Sequence, residues 1–302
     1  MKTSKKIALI VAAILFVGGV VLAGVGLSMS VGVENAYGPS AECQESSFTV
    51  SELFYSVSVD TDECDVSFLQ STNGSCRVTC YAPKGVEYIV AVEEGMLTVR
   101  EMDTRAWYEK WGIWNERVHM DIYLPQMTGT ELSITTDTGD VTLPSWLSFT
   151  AVKVVTDTGD VAMQGVVAPK ELLIMTNTGD VALQACEAIM LNVTTDTGDV
   201  TLADCHSDTL GAHTGTGDVQ LRRSVAGHVG ITTDTGDVEL QAVGAEDMEI
   251  ETTTGDVQGT LRSPKVFDIE TSTGDVRVPP NGTDCGTCKI TTDTGDIDIQ
   301  IQ

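Results

Sequence analysis

One tripeptide, Thr-Gly-Asp, is written nine times between residues 138 and 296 of this chain, and it constrains the fold more than any other feature. Its glycines are Gly139, Gly159, Gly179, Gly198, Gly217, Gly236, Gly255, Gly274 and Gly295, spaced by 19 to 21 residues. A period this regular marks a solenoid, in which each unit buries its apolar side only by stacking on its neighbours. Within a unit, the positions seven, five and three residues before the glycine alternate with polar ones, as in Leu132, Ile134, Thr136 and Leu191, Val193, Thr195. Two and four residues after it stand Val141 and Leu143, or Val200 and Leu202. Period-two alternation is the signature of a strand with one buried face. Each coil therefore reads as strand, Thr-Gly-Asp turn, short strand and a looser turn. An antiparallel meander could use the same strands, but near-identical turns repeated at this period fit stacked parallel coils better. At about 4.8 Å per coil, nine coils span roughly 43 Å.

The expected fold is all-β: a parallel β-solenoid of about nine 19- to 21-residue coils over residues 131–302, with an irregular β cap over 48–130 and a linker at 34–47. In front, residues 1–33 begin with Lys2, Lys5 and Lys6 and continue as an uncharged run from Ile7 to Leu27, apolar as far as Val33. That length crosses a bilayer as one helix, with the basic side cytoplasmic and the remainder outside. A cleaved signal peptide competes, but its apolar core would be shorter, and Glu34 spoils a small-residue cleavage site. The expected location is the cell membrane, single-pass, with the C-terminal ectodomain extracytoplasmic. Within the cap, "SVDTDECDVSFLQ" carries a degenerate turn with Cys64 in the glycine's place, followed by Asp65 and Val66.

Composition limits the function. A formal net charge of -27 over 302 residues makes nucleic acid an unsuitable partner. His119, His206, His213 and His228 fall at unrelated positions of the repeat, and neither a nucleophile elbow nor a phosphate loop is present, so an enzyme is not expected.

The turn residues have two readings. Gly supplies a backbone conformation open to positive φ, and the Asp beside it accepts hydrogen bonds from turn amides. The other reading is calcium between coils, held by Asp140, Asp160, Asp180 and Asp199 after the glycines and by Asp137, Asp157 and Asp196 two residues before them. That second column lapses at Gly215, Thr253 and Ser272. Parity puts Thr136 and Thr138, and likewise Thr233 and Thr235, on the buried side as a hydroxyl ladder at the edge of the core.

Three further features stand out. Trp107, Trp111 and Trp114 have helical spacing, which suits a cap over the open end, a ligand or partner patch, or an interfacial anchor. Cys186 and Cys205 each lie seven residues after their glycine, which makes them neighbours in adjacent coils and candidates for a disulfide. The last coil ends in "GDIDIQIQ" without an evident cap, which leaves end-to-end association open.

The order "CDVSFLQ", "GMLTVRE", "VHMDIYLP" and then tandem "TDTGDV" resembles the bacterial putative adhesin family, a β-strand-repeat domain of unknown function often placed behind one N-terminal membrane helix. The resemblance covers roughly residues 48–302 and implies fold more than function. It implies a surface rod whose partner is a host or cell-surface protein or glycan. Related domains resemble components of Gram-positive envelope-stress systems, which implies instead a sensing or scaffolding role toward the cell's own envelope protein.

Overall fold

The computed structural model describes residues 43–105 and 118–302. Among them every regular element is a strand, 25 in all, arranged in a 13-stranded and a 12-stranded sheet. No helix among the described residues is long and apolar enough to cross a membrane. The apolar run at 7–27 and the three tryptophans lie outside the described residues.

Each repeat is a rung. The Gly198 rung, for example, consists of Glu187–Thr197 in one sheet and Val200–Ala203 in the other. Its inward side chains Leu191, Val193, Val200, Leu202 and Cys205 are all buried, and the next rung places Leu210, Ala212, Val219 and Leu221 directly beside them. Parallel, in-register pairing makes every column of the sequence repeat a column in space. The expected parallel β-solenoid is what forms.

In five successive rungs the looser turn is in fact a defined corner. Six residues after the glycines stand Gly165, Ala185, Asp204, Arg223 and Ala242, all left-handed with φ of 52° to 63°. Four of the five are not glycine, so nothing in the residue pattern marks it.

Both ends of the stack depart from chain order. The degenerate rung, Ser56–Thr61 with Asp65–Gln70, packs directly on the Gly139 rung. The next rung in the chain, Met96–Asp103 with His119–Leu124, lies beyond it. Three antiparallel strands, Val86–Glu93, Cys76–Ala82 and Gln44–Val50, then close that end. The stack thus holds eleven parallel rungs among the described residues, the nine Thr-Gly-Asp rungs and these two.

At the other end the final rung, Thr287–Thr294 with Ile297–Ile301, is inserted between the Gly255 rung and the Gly274 rung. The C-terminal strand is therefore paired on both sides, second from the edge of its sheet, and offers no edge for end-to-end association. The open edge belongs to Val266–Thr273 and Val276–Arg277, where exposed Asp268 and Glu270 and the Asn281 side chain, which accepts the Phe267 N–H at 2.8 Å, obstruct further pairing.

Candidate interaction surfaces

The Thr-Gly-Asp corner shows what the repeat is for. At seven of the nine turn glycines φ lies between +147° and +158°. A Cβ there would also collide with the carbonyl oxygen of the equivalent glycine one rung back. Backbone conformation and close approach both demand glycine.

The Asp after each glycine is consumed by the stack. Asp140 N–H donates to Asp65 Oδ1 at 2.9 Å, Asp160 to Asp140 at 2.9 Å, Asp180 to Asp160 at 2.8 Å and Asp199 to Asp180 at 2.8 Å. The series continues through Asp218, Asp237, Asp256, Asp296 and Asp275 in spatial order. Each carboxylate thus satisfies one backbone donor of the neighbouring rung, a charge-assisted bond that also fixes register.

The column two residues before the glycine is exposed. There the Asn177 amide donates to Asp157 Oδ1 at 3.1 Å, and Asp137 and Asp196 point to solvent. Desolvation, with the carboxylates of Asp62, Asp157 and Asp60 nearby, raises the Asp137 pKa above the ordinary range. Among the described residues no group of three or more His, Cys, Asp or Glu side chains is placed to hold a metal ion.

The threonines divide. Thr195 is buried and its hydroxyl donates to Gly179 O at 3.2 Å, as Thr214 does to Gly198 O at 2.9 Å and Thr233 to Gly217 O at 3.2 Å. This is the expected hydroxyl ladder. Thr138, Thr235 and their equivalents beside the glycine are exposed instead, because the strand alternation breaks at the residue between the two threonines as the chain enters the turn.

Cys186 and Cys205 are brought together as sequence spacing requires. Both are fully buried free thiols in hydrogen-bond contact. The contact favours the Cys186 thiolate and disfavours that of Cys205. Ser224 continues the column and its hydroxyl accepts the Cys205 N–H at 3.1 Å.

A buried lysine was missed by sequence reading. Lys265 is 3% exposed and donates to the carbonyls of Ala245 and Glu246, the latter at 3.0 Å. It sits where the chain crosses to the outermost rung, and its ammonium serves carbonyls at the point where rung order is broken. Nothing in the repeat pattern marks it.

These corners, ladders and columns are matched by a known domain type. The Toastrack DUF4097 family description matches residues 54–223 and 189–302. The chain belongs to that family. No curated protein matches it. Among solved structures, a putative adhesin from Parabacteroides distasonis is 10% identical, with 86% of this chain and 98% of that one covered, at a TM-score of 0.51. A putative adhesin from Bacteroides fragilis is 18% identical over 87% and 99% of the two chains, at 0.47. A putative lipid binding protein from Parabacteroides distasonis is 12% identical over 85% and 94%, at 0.38. At these identities the first of the three supports the fold alone.

Proposed function

We propose that this Toastrack chain is a non-enzymatic surface protein, an adhesin or surface-interaction rod displayed outside a bacterial membrane and tethered by the apolar run at 7–27. The observation that carries this reading is the fate of the repeated polar groups. The Asp after each glycine and the buried Thr are directed at the neighbouring rung, so the repeat produces long, constant outer faces and no convergent reactive centre. Such a molecule acts by contact. The names of the solved relatives, putative adhesins among them, agree with a contact role.

The test is a capture assay with the full-length chain, exposed separately to foreign cell-surface material and to envelope extract of the producing organism. Saturable capture of foreign glycan or protein is the expected result. Selective capture of a membrane protein from the organism's own envelope would replace adhesion by an envelope-scaffolding role.

A further inference from the structure

The outer face of the short-strand sheet carries a groove of about 610 Å³ that runs across the rungs from Thr142 to Gln241. Its lining contains no carboxylate, although the chain as a whole has a net charge of -27. Small side chains such as Ala162 and Ala182 form the column three residues after the glycines. Gln164 and Gln184 stand in the column two residues further on, and Arg222 and Arg223 lie toward the far end. In-register pairing sets Ala162 beside Ala182 and Gln164 beside Gln184, about 4.8 Å apart along the stack.

The two arginines are not equivalent. Arg223 is held by Asp204 in a bidentate pair at 2.7 and 2.6 Å. Arg222 donates from Nη2 to Gln220 Oε1 at 2.7 Å, but its Nε is buried and has no hydrogen-bond partner among the described residues. A buried donor left in this state is costly, so the guanidinium gains by turning toward an acceptor in the groove.

We propose that this groove binds a linear glycan bearing intermittent carboxylates, of the uronate-containing kind. The proposal rests on the contact role above and names its ligand class. Three observations select the occupant. The short strands already pair on both sides, so an extended peptide has no strand edge to join, and recognition must come from side chains. Glutamine amides both donate and accept, which matches hydroxyls and acetamido groups, while the alanine floor accepts the apolar face of a sugar ring. The acid-free lining and the Arg222 guanidinium, which has no carboxylate partner among the described residues, suit a carboxylate, yet the aspartate ladder beside the groove disfavours an anion at every residue.

The experiment uses the full-length chain and a hyaluronan oligosaccharide, in which uronate alternates with a neutral sugar. A chitin oligosaccharide serves as the neutral comparison and poly-L-glutamate as the acidic peptide. Saturable hyaluronan binding is expected, weaker with added salt, reduced about tenfold in Arg222→Gln and abolished in Ala182→Trp. Ala182 is exposed, so its replacement blocks the groove without entering the core, and an unchanged melting midpoint verifies this. No binding, equal binding of poly-L-glutamate, or binding indifferent to both substitutions would overturn the groove assignment. Capture of surface material that survives Ala182→Trp would overturn it while leaving the contact role intact. Loss of all surface capture by the unaltered chain would instead remove the contact role itself.

Discussion

At the scale of single residues, the two corners of a rung make opposite demands on glycine. At Gly198, φ is +147° and a Cβ would meet the Gly179 carbonyl, so Gly198→Ala combines backbone strain with a backbone clash. The expected loss is about 3 kcal/mol, read from the denaturant midpoint. At the other corner Ala185 is left-handed with φ of 54° and its methyl is exposed. Relief of left-handed strain there is worth about 1–2 kcal/mol, and the added freedom of the unfolded chain returns about 0.4–1 of it. Ala185→Gly should therefore raise stability by up to about 1 kcal/mol, and a lowered midpoint would contradict the corner geometry. A third residue-scale effect concerns Cys288, whose thiol burial pushes up to about 12 from 9.0. Between those values the folded state holds a proton that the unfolded state has released. Stability present below pH 9 is thus lost as pH rises toward 12, and Cys288→Ala should flatten that alkaline decline in pH-dependent unfolding.

At the scale of the column, the aspartate ladder and interposed calcium give different results on substitution. An amide oxygen can accept the Asp218 N–H as the Asp199 carboxylate does at 2.8 Å, and it removes one of a series of stacked like charges. Asp199→Asn should accordingly leave the melting midpoint unchanged or raise it at low salt. Asp199→Ala, which removes the acceptor, should cost about 1 kcal/mol. Neither midpoint should respond to excess calcium or a chelator, whereas an ion-holding column would suffer from both substitutions. Much of this scale was legible in the sequence. Parity alone placed Leu191, Val193 and Thr195 inward, and the 19-residue offset alone made Cys186 and Cys205 neighbours. Parity failed at Thr138, because alternation is a property of an extended strand and the chain bends before reaching it. The left-handed corner was hidden because Ala185, Asp204, Arg223 and Ala242 are residues that do not advertise positive φ. The groove was hidden for a different reason. It is defined by the absence of acid from two outward columns over the rungs from Gly139 to Gly217, and a search for motifs does not register an absence.

At the scale of the molecule, the order of rungs is the property that local pattern cannot encode. Each Thr-Gly-Asp rung presents nearly the same hydrogen-bond donors and acceptors to either neighbour, so the repeat is equally satisfied by chain order or by insertion. The choice is made by the connections. The crossing segment with Lys265, and the longer link that gives Gly274 and Gly295 a 21-residue spacing, allow the last rung to enter between the two before it. This arrangement separates two truncations that a chain-ordered solenoid would treat as successive steps. Ending the chain after Asp284 removes the inserted rung and takes from Val266–Thr273 and Val276–Arg277 the parallel partners they pair with. Ending it after Arg262 removes that orphaned rung as well. If each rung draws its stability from its neighbours, the first truncation should cause nearly the whole loss and the second almost none, measured as denaturant midpoints. Two comparable losses would mean that the Gly274 rung can rest on the Gly255 rung without the last one between them. The insertion would then be only one of two packings open to the chain, whereas a single loss makes the C-terminal strand the element that completes the stack.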